Sequence, residues 1–186
     1  WIGTNTGPER KVVEGAGIPF HTIASGKFRR YVSIRTLIDP FLVLFGFFQS
    51  LLLIIIRRPR LILTAGSFVS VPLVWAGWLL RVPCGIHQQD IKVGLANKLM
   101  QPCAKKITVA FQEQLKLFPA GKAVWTGNPV RTEILHGDRD TAIKLFHLEE
   151  GIPVVLVTGG GTGAEFLNEL VIASLPELTK FCHIIH

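Results

Sequence analysis

Short apolar runs, each closed by glycine, proline or polar residues, alternate along the 186 residues with stretches whose apolar positions recur at helical spacing. Such alternation predicts βα units and an α/β fold built on a parallel sheet. Residues 1–3 close a strand, 8–14 read as a short helix ended by Gly15 and Gly17, and 18–23 make another short strand. Further strands are predicted at 61–65, 83–87, 107–110 and 123–126, with helices at 73–80, 93–100 and 111–117. Past Arg131 the composition changes: 136–140 is polar and turn-like, and 141–148 forms a helix. Residues 152–168, IPVVLVTGGGTGAEFLN, then open a new unit, with Val154, Val155, Leu156 and Val157 as a buried parallel strand and a helix over 163–175. The polar segment predicts a boundary between one α/β domain and the first βα unit of another.

One helix departs from this pattern. Asp39-Pro40 reads as its N-cap and first turn, and residues 41–56 (FLVLFGFFQSLLLIII) interrupt their apolar run only at Gly46, Gln49 and Ser50. Sixteen residues rise about 24 Å, short of a hydrocarbon core of about 30 Å. The βαβ order continues on both sides, so strands 18–23 and 61–65 are expected in one parallel sheet, which a crossing helix would break. A helix covering a sheet normally keeps a polar outer face, and this one has none. The prediction is an exposed apolar patch lying against an anionic membrane surface, with Arg29, Arg30, Arg35, Arg57, Arg58 and Arg60 meeting the headgroups.

The three glycines Gly159, Gly160 and Gly161, with Thr162 and Gly163, join a strand to a helix through nearly bare backbone. Phosphate oxygens approach main-chain N–H groups closely there, and the helix N-terminus adds partial positive charge. A tight βα turn without a ligand remains the plain alternative. The dinucleotide fingerprint needs a glycine where Phe166 stands, and a P-loop needs Lys-Ser/Thr where Ala164 and Glu165 stand. A nucleotide-sugar or other phosphorylated ligand therefore fits better than NAD or ATP. A second glycine turn lies at residues 64–67, and His87, Gln88, Gln89 and Asp90 gather at a strand's carboxyl end, where ligands bind in α/β folds.

Twenty Lys and Arg against thirteen Asp and Glu give a net charge of +7, which calls for an anionic partner. Nucleic acid ranks last, because the phenylalanines cluster in one apolar run rather than among the basic residues. Cys84, Cys103 and Cys182 are odd in number and widely spaced, supporting neither a disulfide framework nor a metal site and favouring a reducing cytoplasm. The opening Trp1 and the apolar residues 181–185 at the end read as a piece of a longer polypeptide.

The collinear segments WIGT, AGSFVSVP, HQQD, GLANKLM, TGNPVR and VVLVTGGGTGAEFLN resemble the MurG family of peptidoglycan glycosyltransferases. The resemblance implies a two-domain GT-B fold: an acceptor and membrane domain at 1–133, a linker at 134–150, and the start of a UDP-sugar-binding domain at 151–186. It implies transfer of N-acetylglucosamine from UDP-GlcNAc to a lipid-linked muramyl-pentapeptide, without a cofactor or metal, by a peripheral enzyme on the cytoplasmic face of the membrane. The family's HEQN motif falls on His87, Gln88, Gln89 and Asp90, with Gln88 replacing an acid and Asp90 an amide that binds the nucleotide sugar. Arg131 matches an arginine that contacts the UDP-sugar, Asn128 and Pro129 shape its turn, and Asn168 matches an asparagine at the cleft. Gly161 stands where a phosphate-binding serine is usual, leaving that contact to backbone N–H groups or Thr162. The family's catalytic base lies upstream of Trp1, so this stretch alone is expected to be inactive. Two other readings stay open: a different GT-B enzyme acting on a glycolipid, and a non-catalytic membrane-bound subunit, against which the second glycine turn argues.

Overall fold

The computed structural model describes residues 1–5, 7, 9–26, 34–160 and 164–186. The chain divides into two compact units, Trp1–Pro129 and Val130–His186. In the first, β1 (Ile2–Gly3), α1 (Glu9–Gly15) and β2 (His21–Thr22) form a minimal βαβ turn, Ile2 lying opposite His21 in a parallel pair. The expected strand at 18–23 is cut short because Pro19 has no N–H for a ladder; its carbonyl takes the Trp1 amino group instead, at 2.6 Å. The chain continues through α2 (Ile34–Arg57), β3 (Ile62–Thr64), α3 (Ser70–Leu79), β4 (Cys84–Gln88), α4 (Leu95–Met100) and β5 (Lys106–Val109). A 3-10 helix at Gln112–Leu117 and β6 (Ala123–Trp125) complete the unit's elements.

Strands β3, β4, β5 and β6 lie side by side in chain order, all parallel. The predicted parallel α/β arrangement is present, with one correction. Strands β2 and β3 do not share a sheet: β1–β2 is a separate pair with no hydrogen-bonded link to the four-stranded sheet among the described residues. Collinear βα order sets strand direction but does not by itself choose the partner.

Helix α3 is the inner layer. Val74 and Ala76 are fully buried, and Gly77 approaches the sheet so closely that a Cβ there would stand 2.6 Å from Ile62 Cδ1 and 2.8 Å from Cys84 Sγ. Burial, with Cys103 nearby, pushes the Cys84 thiol up to about 11, so it stays protonated and packs as a small apolar group. The core continues through Ile86, Met100, Ile107 and Val109.

Helix α2 packs outside α3 along Val43, Gly46, Ser50 and Ile54, a stripe at i, i+3, i+4 spacing. It begins at Ile34, so Asp39 and Pro40 lie inside it rather than at its start. Asp39 is 7% exposed and covered by the chain at Gly26, where a Cβ would come within 2.5 Å of the Asp39 carbonyl. Pro40 forfeits the bond to the Thr36 carbonyl, and the packed turns beyond it hold the helix in place of that bond. The three interruptions of the apolar run now have reasons. Gly46 admits the Ala24 carbonyl, which would lie 1.9 Å from a Cβ; Gln49 Oε1 accepts the Ala24 N–H at 2.7 Å; and Ser50 donates to the Gly46 carbonyl at 2.7 Å. The opposite face, Phe41, Leu44, Phe45, Phe48, Leu52 and Ile55, is exposed, Phe41 to 72%. The apolar patch expected there is present, and Arg57, Arg58 and Arg60 are exposed at its end. Lys27, Arg29 and Arg30 lie outside the described residues, as does the Arg35 side chain.

The second unit holds α5 (Thr132–Leu135), α6 (Arg139–Phe146), β7 (Val154–Leu156), α7 (Glu165–Leu178) and β8 (His183–Ile185), with β7 and β8 parallel. Residues 134–150, anticipated as a linker, thus include the second half of α5 and all of α6. Asp138 caps α6: its carboxylate accepts from the Thr141 hydroxyl and from the N–H groups of Thr141 and Asp140, which hold it below the usual carboxylate range. The expectation of a buried strand at 154–157 is corrected. Val154, Val155 and Leu156 are exposed, Leu156 to 68%, because a two-stranded sheet with one long helix leaves apolar strand faces uncovered.

Substituting Gly46→Ala tests the docking of Ala24 on α2. Helix propensity favours alanine by about 1 kcal/mol, but a methyl group driven into a backbone carbonyl costs about 1–3 kcal/mol, so a net loss of up to about 2 kcal/mol is expected in urea unfolding. Unchanged or raised stability would show that the Ala24 segment yields freely.

Candidate functional site

Strand β4 alternates strictly: Cys84, Ile86 and Gln88 turn inward, while Gly85 and His87 are half-buried on the other face. Gln88 therefore ends the strand inside the protein. At 1% exposure its amide donates to the carbonyls of Asp90 (2.6 Å) and Lys92 (3.1 Å), and its oxygen accepts from Asn97 Nδ2 (2.6 Å). Gln88 was expected to touch substrate; the structure buries it and turns its amide onto Asn97 and the loop that follows.

His87 is held from both sides. Register places it beside Thr108 of β5, whose hydroxyl lies 2.7 Å from Nδ1, and Nε2 lies 2.9 Å from Asn128 Oδ1. An amide oxygen only accepts, so Nε2–H donates to Asn128 and, in the neutral ring, Nδ1 receives the Thr108 proton. His87 is thus a strut between β5 and the turn Gly127, Asn128, Pro129, and it directs the exposed Asn128 amide. Gly127 makes that turn at φ +73°.

Three supporting residues had no role expected from the sequence, although one of them, Asn97, lies within the GLANKLM segment. Asn97 and Thr108 are two of them. The third, Gln114 of the 3-10 helix, is 2% exposed; it donates to the carbonyls of Asp90 and Ile91 and accepts the Phe111 N–H at 2.9 Å. The alternation in CGIHQ was the available signal for an inward Gln88; Gln114 offered only its i+3 spacing from Phe111. Asp90 itself is exposed, as is Gln89.

The glycine turn after β3 abuts this network. Gly66 N–H donates to Thr64 Oγ1 at 3.1 Å, Thr64 and Ser70 hydroxyls pair at 2.6 Å, and Gly66 sits at φ +96° where a Cβ would be 2.6 Å from Asn97 Oδ1. In the second unit Arg131 is exposed at the start of α5, and Gly160 faces open space. Gly159 is closely approached by Ala164, at 2.7 Å from its would-be Cβ. Asn168 Oδ1 lies 3.0 Å from His186 Nε2, tying α7 to the end of β8. Among the described residues no side chain caps the α7 N-terminus; Gly161, Thr162 and Gly163 lie outside them. His87, Asp90 and Asn128 thus belong to the first unit, and Arg131, Gly159, Gly160 and Asn168 to the second.

Residues 1–109, which include the β4 edge, match the glycosyltransferase family 28 N-terminal domain. The chain belongs to this glycosyltransferase family. It is 42% identical over all 186 residues to a Bacillus cereus UDP-N-acetylglucosamine--N-acetylmuramyl-(pentapeptide) pyrophosphoryl-undecaprenol N-acetylglucosamine transferase, of which it covers 53%. The Lachnospira eligens transferase of that name is 44% identical, with 52% covered. The family 28 chain thus spans about half the length of the curated relatives it matches. Its fold is similar to the crystal structure of Acinetobacter baumannii MurG, with a TM-score of 0.62 and 27% identity over 96% of this chain and 46% of that one. The expected MurG-like, GT-B class of α/β fold is the one found.

Gly66→Ala tests the junction of the two turns. A positive φ and a clash with Asn97 together should cost about 1–3 kcal/mol of stability in denaturant titration. A neutral effect would mean that the turn after β3 relaxes without disturbing Asn97.

Proposed function

We propose that the whole protein transfers N-acetylglucosamine from UDP-GlcNAc to undecaprenyl-pyrophosphoryl-muramyl-pentapeptide in peptidoglycan synthesis. The observation that carries this reading is collinear identity of 40–44% along the entire chain to transferases bearing that name. The reaction is read as inverting: an acceptor hydroxyl attacks the anomeric carbon, the bond to the UDP oxygen breaks, and the hydroxyl proton passes to a base that the resemblance puts upstream of Trp1. Arg131, the backbone N–H groups at Gly159, Gly160, Gly161 and Gly163, and Thr162 are assigned to the charge developing on UDP. Asp90 is assigned to a hydroxyl of the donor sugar, His87 to the orientation of Asn128, and Asn168 to the cleft. The domains are assigned as acceptor-binding up to about 133 and donor-binding from about 151, and residues 1–186 alone are read as inactive.

The same reading places the protein on the cytoplasmic face of the membrane as a peripheral enzyme. By length and composition, Asp39–Arg57 is a segment that can cross a bilayer. Against crossing stands its packing: one face lies on α3 and holds Ala24, so lipid is available to the outward face only.

The function is tested by incubating the full-length protein with labelled UDP-GlcNAc and the lipid-linked acceptor. Transfer is expected; donor binding without transfer would favour another acceptor or the non-catalytic subunit. In the same protein Arg131→Ala should weaken UDP-GlcNAc binding by about 1.5–3 kcal/mol, roughly 10- to 150-fold in calorimetry. Unchanged affinity would remove Arg131 from the site.

Membrane attachment is tested by vesicle flotation. Binding should strengthen with anionic lipid, by up to about 1 kcal/mol for each arginine that reaches the surface, and weaken with salt. Resistance to carbonate extraction, with the two ends of α2 protected on opposite sides, would establish a span instead.

A further inference from the structure

The loop after β4 is held in an unusual way: three consecutive carbonyls, those of Asp90, Ile91 and Lys92, all turn inward onto two buried glutamine amides. Gln88 Nε2 takes Asp90 and Lys92, and Gln114 Nε2 takes Asp90 and Ile91. Both amides are themselves fixed, Gln88 by Asn97 at 2.6 Å and Gln114 by the Phe111 N–H at 2.9 Å. In a trans peptide the N–H points opposite to the carbonyl of the same unit, and there is no cis bond among the described residues. Inward carbonyls at 90, 91 and 92 therefore send the N–H groups of Ile91, Lys92 and Val93 outward. None of these three N–H groups donates to a group among the described residues. Beside them stands the exposed Asp90 carboxylate.

A row of outward N–H donors next to a carboxylate acceptor is a poor site for a phosphate, which the carboxylate repels, and a good one for a sugar. Each sugar hydroxyl both donates and accepts, so it satisfies an Asp90 oxygen and a neighbouring N–H at once. We propose that Gln114 and Gln88 are positioning residues that aim residues 90–93 at the hydroxyls of the donor sugar. The assignment rests on the reading of the protein as a UDP-GlcNAc-dependent transferase. Neither glutamine touches the ligand. Each acts through the backbone it turns, and Gln114 does so from a segment outside every motif that identifies the family.

The test uses the full-length protein and two ligands, UDP-GlcNAc and UDP, which differ only in the sugar. In Gln114→Leu the carbonyls of Asp90 and Ile91 lose their shared donor, the loop turns, and affinity for UDP-GlcNAc should fall about tenfold while affinity for UDP holds within twofold. Gln114→Glu supplies a readout that general destabilisation does not move. A protonated carboxyl can still donate to the Asp90 carbonyl, and a carboxylate cannot, so UDP-GlcNAc affinity of this variant should decline as pH rises relative to that of the wild type. Equal weakening of UDP and UDP-GlcNAc, unchanged UDP-GlcNAc affinity in Gln114→Leu, or a loss in Gln114→Glu that ignores pH would overturn the proposal. Failure of the wild-type protein to bind UDP-GlcNAc would instead sink the functional reading beneath it.

Discussion

A parallel sheet must be covered by helices, because its crossovers place them on its faces, and in the first unit this demand falls hardest on α3. That helix reaches the sheet through Gly77, over Ile62 and Cys84, and is covered on its other side by α2. Seven of the ten residues of α3 are consequently buried, including Val74 and Ala76. The layering decides what α2 has to be. Its inner stripe needs small or specifically bonded residues so that α3 and the Ala24 segment fit, and Gly46, Gln49 and Ser50 supply them. The outer face is under no such demand from the fold, and its row of phenylalanines and leucines is left for another apolar phase.

The existence of the strands in the four-stranded sheet was legible because each run was short, apolar and punctuated by turn residues, as at ILT and KITV. Partner choice was not, since periodicity says nothing about which edges meet, and the β1–β2 pair stands apart from β3. Local chemistry misled at Asp39-Pro40. The dipeptide has the composition of a helix start, but tertiary packing along Val43, Gly46, Ser50 and Ile54 extends the helix back past it to Ile34. At Val154, Val155 and Leu156 an apolar run correctly signalled a strand, while its faces are exposed in these 186 residues, because burial belongs to the layers above and below and not to the run itself.

The candidate site was half readable for a related reason. Motif resemblance located the His87 to Asp90 edge and the turn at Asn128, both of which the first unit brings together through the His87–Asn128 bond at 2.9 Å. It could not sort contact from support. Gln88 and Asp90 are two residues apart in one motif, yet one is sealed inside and the other is exposed. Period-two geometry separates them at once when it is applied to the strand's end, since Gln88 shares its face with Cys84 and Ile86. Gln114 lies outside every segment that resembles the family and Asn97 inside one that gave it no role; what marks them is the company they keep, the Asp90 carbonyl for Gln114 and the buried Gln88 amide oxygen for Asn97.

The two units present backbone N–H groups by different physical means, and the difference bears on how each tolerates change. In the second, Gly160 faces open space and no side chain among the described residues caps the helix N-terminus that follows, so an approach to the backbone there depends on the absence of side chains. In the first, residues 90–93 include Asp, Ile, Lys and Val, and side chains are no obstacle because the direction of each peptide is set from beneath by Gln88 and Gln114. A glycine turn fails when a Cβ is added to it. The amide-supported loop accepts variation in its own residues and fails when a buried donor is lost, which makes its vulnerable positions invisible to a motif drawn on the loop alone.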